Sequence, residues 1–231
     1  MGTCERFLRT VCPDGLRLTT LSQPRISHIF VTQTVHMQPT PFVLAENKMA
    51  KIIEESPWMA PDKLAGSAER IRTQNATLKS RCASLSLLTD RFNQALGPHT
   101  PCRPGCADCC YLPTLIYQHE AERISRFSGR VMARVRRKSP DRAVLDAYRY
   151  RGIPCPFLAE NRCSIYQARP LICRLHHSLN ADSTACEAVR HGGPNANYTF
   201  DVDLIEMPYH RLMREHKPRE VWATIHEFFD K

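Results

Sequence analysis

Apolar positions recur with a helical period along most of the chain. Leu64, Ile71, Leu78, Leu85 and Phe92 repeat every seven residues, and Ala68, Cys82 and Leu96 fill the i+4 slots. That spacing lines one face of an α-helix, so residues 61–97 read as a single helix closed by Gly97-Pro98. Asn75 and Thr89 interrupt the second row, which makes the pattern amphipathic rather than a strict coiled coil. Cys82 falls on the apolar face, where a small buried thiol is expected. Residues 118–138 read as a second helix with Ile124, Phe127, Val131 and Val135 as its stripe, and His119 is expected to face solvent. Ser139-Pro140 supplies an N-cap and a proline at N1 for a third helix to about Tyr150. A last helix is expected from Pro218 through Trp222, Ile225 and Phe229.

Strand signals are sparse. Ile29-Phe30-Val31 with Val35 could form one strand, but nothing nearby offers a partner. The first 48 residues carry four prolines and no helical period. They are expected to be a disordered tail or an over-long gene assignment, with the natural start at Met49. The expected organisation is a tail at 1–48, an amphipathic helix at 49–98, a cysteine-cluster domain at 99–190 and a C-terminal helical extension at 191–231. The fold class is mainly α: a small helical domain organised around an irregular cysteine-rich metal or iron–sulfur centre.

Composition sharpens this picture at two points. The 231 residues include 11 cysteines, and the formal charge is +9. Eight of the cysteines lie between Cys102 and Cys186. No apolar run reaches the ~18 residues of a membrane span, and the N-terminus lacks a signal-peptide pattern. A cytoplasmic location is expected, and there clustered cysteines point to metal or redox chemistry before structural disulfides. The positive charge is also local. Residues 126–151 hold nine Lys or Arg against Asp141 and Asp146. The basic stripe of Arg123, Arg126, Arg130, Arg134 and Arg137 reads as a solvated helix face or as a docking surface for an acidic protein partner. Nucleic acid is not an expected partner, because no binding motif accompanies the stripe.

The chemistry lies in the cysteine spacing. The first block is Cys102-x3-Cys106-x2-Cys109-Cys110. Cys155, Cys163, Cys173 and Cys186 follow. Two residues between thiolates let a chain turn so that both sulfurs reach one metal. Four such thiols within nine residues are far from chance. Eight thiolates could fill two four-coordinate sites, or one site plus a redox pair. Zinc and an iron–sulfur cluster both accept four thiolates, so spacing leaves the cofactor as either one. Arg169 and Arg174 flank Cys173, and their guanidinium groups could offset thiolate charge; Tyr166 could assist more weakly. His176 and His177 are possible substitutes for a thiolate.

The combined pattern of CRPGCADCC at 102–110, CPFL at 155–158, CSIY at 163–166 and RPLICR at 169–174 resembles the YkgJ-type (CxxCxxCC) cysteine-cluster proteins. Their shared domain is described as zinc- or iron-chelating. The resemblance implies that Cys102, Cys106, Cys109, Cys110, Cys155, Cys163 and Cys173 are ligands or their close support, with Cys186 as a looser trailing match. It also implies an intracellular bacterial protein. Three functions follow as expectations: a metal-binding protein without an assigned reaction, an iron–sulfur oxidoreductase or protein-lysine methylase-like enzyme, and a metal-buffering or insertion factor that docks through the basic helix. No phosphate loop, dinucleotide fingerprint or Ser/His/Asp set indicates a conventional hydrolase or nucleotide enzyme.

Overall fold

A computed structural model describes residues 40–193 and 196–229, all of which fall within one compact unit. The expected strand near Ile29 and most of the expected tail lie outside the described residues. Helix α1 spans Pro41–Glu55, with Thr40 as its N-cap and Pro41 at N1. The boundary expected at residue 48 therefore falls inside a helix. Ala45 and Ile52 bury its inner face at a helical spacing. The prolines around them obscure that short period in the sequence.

The single helix expected over 61–97 is two. Helix α2 covers Pro61–Thr73 and α3 covers Leu78–Leu96. Gln74 leaves the helical conformation, and the Thr77 hydroxyl accepts the Ser80 amide at 3.2 Å to start α3. An N-cap of this kind offsets the loss of helical hydrogen bonds at the break. Asn75, which interrupts the apolar row, lies in the turn. Thr89 stays in α3 fully buried, with its hydroxyl donating to the Ser86 carbonyl at 2.7 Å.

Strand β1 (Leu115–Tyr117) leads directly into α4 (Gln118–Ser128). The second expected helix thus stops about ten residues early. Gly129 adopts φ 72°, a left-handed conformation that caps a helix at little cost only for glycine. The chain then runs non-helically to Ser139, tied by the Ala133 amide to the Phe228 carbonyl at 2.7 Å. Val131, placed on the apolar stripe by periodicity, is 91% exposed. The third helix forms as expected: α5 spans Pro140–Ala147 with Ser139 as N-cap and a 3-10 turn to Tyr150.

A two-stranded hairpin, β2 (Leu158–Ala159) with β3 (Arg162–Cys163), and short helices α6 (Leu171–Leu175) and α7 (Thr184–Arg190) carry the later cysteines. Helix α8 (Asp203–His216) returns to α2 and α3. The last expected helix is instead β4 (Trp222–Thr224) followed by α9 (Ile225–Phe229). Trp222–Thr224 pairs antiparallel with β1, Ile116 opposite Ala223. The β-ladder satisfies backbone groups that a helix from Pro218 would otherwise have served. The segment after residue 190 is therefore an integral part of the unit, since β4 completes the strand that enters α4.

Two apolar clusters result. The first joins α1, α2, α3, α6 and α8 around Leu64, Leu85, Phe92 and Leu212. The second joins β1, α4, β4 and α9 around Ile116, Ile124, Phe157 and Phe228, with Cys155 and Cys163 packed against it. Among the described residues, no helix is long and apolar enough to cross a membrane.

Candidate metal centre

Each cysteine is placed by a short, irregular segment. Gly105 turns the first block at φ 94°, and the Cys106 amide donates to the Arg103 carbonyl at 2.9 Å. A 3-10 turn over Asp108–Tyr111 then carries Cys109 and Cys110. The Cys155 amide donates to the Cys110 carbonyl at 2.7 Å, which fastens the second block to the first. Glu160 and Asn161, both at positive φ, make the β2–β3 turn that brings Cys163 opposite Leu158. Cys173 sits in the middle of α6, between Leu171 and Leu175 of the first apolar cluster. Cys186 lies in α7, and its thiol contacts the Asn197 side-chain oxygen at 3.2 Å.

The electrostatics divide the thiols into two neighbourhoods. Burial pushes the Cys173 thiol far up, and Cys109, Cys155 and Cys163 each push it further. Burial raises Cys155 to about 11, with Cys163 and Cys109 adding to it. Cys163 is raised by burial and by Cys109. Cys109 itself is raised first by its hydrogen bond with Cys110. These four sulfurs therefore act on one another. A second set comprises Cys102, Cys106 and Cys186. Burial, then Cys102 and Cys106, lifts Cys186 to about 11, and burial followed by Cys102 raises Cys106. Cys106 also feels Cys109, so the two sets adjoin. Mutual elevation of this kind is what a bound cation reverses, because coordinated thiols are deprotonated.

Arg169 serves the first set. Its positive charge lowers the Cys109, Cys163 and Cys173 thiols against the other influences. Its guanidinium carbon stacks 3.8 Å from the Tyr166 ring centroid, so Tyr166 acts as a platform for Arg169. The Arg169 Nε is buried and has no hydrogen-bond partner among the described residues. A metal-bound sulfur would supply an acceptor there, and this donor together with four thiols fits a thiolate-bound metal.

Arg174 does not share that role. Its Nη1 is paired with Asp90 of α3, Nη2 donates to the Gln167 carbonyl at 2.7 Å and Nε donates to the Arg169 carbonyl at 3.0 Å. All three nitrogens are engaged, so Arg174 fixes the Arg169 loop onto α3. His177 is buried and stays neutral; burial holds it down to about 4. Among the described residues, no three His, Cys, Asp or Glu side chains are already gathered around one point that could hold an ion. Loading would have to draw the sulfurs inward, as coupling between binding and folding requires.

Two of the five arginines in the basic stripe turn inward, while Arg126, Arg134 and Arg137 stay exposed. Arg123 donates to the Arg169 carbonyl at 2.9 Å. Arg130 donates to the Pro156 carbonyl at 2.7 Å and the Phe229 carbonyl at 2.5 Å, with its guanidinium 4.8 Å from the Phe157 ring. These two arginines brace the cysteine loops rather than present a free helix face. Sequence reasoning missed Lys48, whose ammonium lies close enough to Cys102 and Asp182 to be influenced by both. It also missed Asn197 beside Cys186. Both fall in segments assigned to a tail and an extension, and no spacing rule reaches that far.

The fold defines a class: a mainly helical protein whose free thiols cluster in short irregular segments. Residues 101–190 match the family model CxxCxxCC, described as "Putative zinc- or iron-chelating domain". No curated protein and no solved structure matches the chain.

Proposed function

We propose that the protein binds zinc or iron at a principal four-thiolate site made by Cys109, Cys155, Cys163 and Cys173, with Cys102, Cys106 and Cys186 forming an adjoining second site. The observation that carries this reading is the behaviour of Cys173. It lies partly buried in α6, and three cysteines from two other segments act on its thiol. Four thiolates are the donor set that tetrahedral zinc or an iron–sulfur cluster takes. Cys110 supports the principal site through its hydrogen bond to Cys109. Arg169 supplies positive charge beside it. When bound, the metal fixes the loops between α4 and α6, and this chain's residues provide the thiolates, the compensating charge and the apolar walls.

The test is metal and acid-labile sulfide analysis of full-length protein purified without oxygen, alongside Cys173→Ser and Cys186→Ser. The expected result is metal in the wild type, loss of the principal site's share in Cys173→Ser, and a separate loss in Cys186→Ser. Colourless protein with zinc identifies one metal; visible absorption with labile sulfide identifies a cluster. Unchanged metal content in Cys173→Ser would reject the assignment.

A further inference from the structure

Helix α5 presents an outer face that no described residue covers. Ala143 and Ala147 are buried on its inner side. Leu145 and Tyr148, three residues apart, are neighbours on the opposite side, and they are 64% and 59% exposed. Arg142 and Arg149 edge this apolar ridge. Both reach one oxygen of the buried Asp146 carboxylate, at 3.0 and 3.6 Å, while Lys138 takes the other oxygen at 2.6 Å. Lys138 pairs with Glu227 as well. Asp146 is therefore shared by three cations, and the Arg142 and Arg149 side chains stay 57% and 71% exposed.

The segment before α5 adds charge, and Lys138 pins the end of that segment to the helix. Arg134, Arg136 and Arg137 are exposed, and among the described residues no carboxylate pairs with any of them. Arg137 donates to the Pro218 carbonyl at 3.2 Å. Asp141 is the one exposed acidic residue between 126 and 151. The helix whose basic stripe suggested a docking surface ends at Gly129. The exposed charge therefore gathers after it, beside the apolar ridge of α5.

We propose that this face of α5, with the arginines that precede it, docks an acidic segment of another protein, one that carries apolar side chains among its carboxylates. The charge supplies the first half of that description. Arginines held close together without carboxylates repel one another, and a partner's carboxylates relieve the repulsion. The ridge supplies the second half, because a purely acidic segment would leave Leu145 and Tyr148 in water. A nucleic acid strand would meet the arginines, but it offers nothing to Leu145, and one tyrosine is not a stacking platform. A second copy related by a two-fold axis would set positive surface against positive surface. The chain's own first 39 residues carry Glu5 and Asp14 against four arginines, so their charge does not complement this face.

The experiment is fluorescence anisotropy on the full chain, as purified, with a fluorescein-labelled peptide that repeats Glu-Leu-Asp-Phe. The comparison probes are the same peptide with Ser in place of Leu and Phe, and an oligouridylate of equal length. The Leu-Phe peptide is expected to bind more tightly than either. Leu145→Ser should weaken it about fivefold, as partial burial of one leucine requires. Arg142→Gln combined with Arg149→Gln should also weaken it about fivefold, the scale of two exposed ion pairs. Raising salt from about 0.05 M to about 0.5 M should weaken the wild type more than that double variant. Lys63→Gln combined with Lys79→Gln removes the same charge from exposed positions on α2 and α3 and should stay within about twofold of wild type.

Metal content is read on every variant and is expected to match wild type, so a failure here leaves the metal assignment standing. If circular dichroism shows the Arg142 and Arg149 variant unfolded, Arg134→Gln combined with Arg136→Gln decides in its place, since those two arginines have no carboxylate to lose. Equal binding of the two peptides overturns the proposal, because the ridge then contributes nothing. A loss in the Lys63 and Lys79 variant as large as in the arginine variant overturns it too, because net charge then explains the binding. Tighter binding of the oligouridylate overturns it in favour of nucleic acid. A dimer in sedimentation that Leu145→Ser dissociates overturns it in favour of a second copy.

Discussion

The residue on which most local structure turns is Glu120. It is 4% exposed, and each carboxylate oxygen accepts one backbone amide. Oε2 takes the Tyr117 N–H at 3.0 Å and Oε1 takes the Leu171 N–H at 2.9 Å. The first bond closes the start of α4, and the second fixes the start of α6, just ahead of Cys173. One side chain thus ties the helix that carries His119 to the helix that carries Cys173. Glu120→Ala would leave two buried amides unsatisfied, and each such group costs about 1–3 kcal/mol. The expected loss in denaturant unfolding is therefore about 2–6 kcal/mol. Glu120→Gln should lose less, because its one side-chain oxygen still serves one of the two amides. Equal losses in the two variants would show that the amides find other acceptors.

At the level of elements, the sequence discloses helices well and their ends less well. Period and capping locate the start of α5 to the residue, because Ser139-Pro140 is a local signal that needs no tertiary partner. The break between α2 and α3 shows in the sequence only as Asn75 in an apolar row. The heptad spacing continues across the turn because both helices bury the same kind of face, so periodicity alone reads one helix. The end of α4 is hidden for a different reason. Arg130, Arg134 and Arg137 keep helical spacing after Gly129, yet Arg130 is drawn to the Pro156 and Phe229 carbonyls. Strand β4 has no local signature, since its partner lies far earlier in the chain. The cysteine spacing is legible, but its division into two neighbourhoods depends on α6 and α7, which the sequence does not orient. Gly129 offers a test of the α4 terminus. No atom lies within 4 Å of the position a side-chain carbon would take, so a substitution there meets strain from the backbone alone. Gly129→Ala should cost roughly 1 kcal/mol and Gly129→Asn less, because Asn tolerates the left-handed region. Denaturant midpoints check both. A neutral Gly129→Ala would mean that the chain can continue α4 into residues 130–138 without loss.

At the scale of the whole molecule, stability is divided unequally. The first apolar cluster is built mainly by α1, α2, α3 and α8, and Leu64, Leu85, Phe92, Leu212 and Met213 in it are fully buried. The first cysteine segment has little comparable packing, whereas the second leans on the other apolar cluster through Phe157 and Ile165. Residues 102–110 are held by turns, and residues 155–163 by a hairpin of two residues per strand. Their thiols raise one another, so they stay protonated until a cation displaces the protons. Metal binding to thiolates is worth about 10–16 kcal/mol in small zinc-binding peptides, more than such loops could supply by themselves. The helical cluster should therefore persist when metal is removed, while the cysteine loops should open. Hydrogen exchange after treatment with a strong chelator under reducing conditions measures this directly. Protection is expected to fall across residues 102–117 and 152–175 and to hold in α2, α3 and α8. Helix α6 is the informative boundary, because Leu171 and Leu175 belong to the helical cluster and Cys173 to the proposed metal site. If α6 opens with the loops, the metal rather than the apolar contact holds it in place. If all regions lose protection together, the unit is one cooperative structure that the metal supports throughout, and the division of stability argued from the packing is wrong.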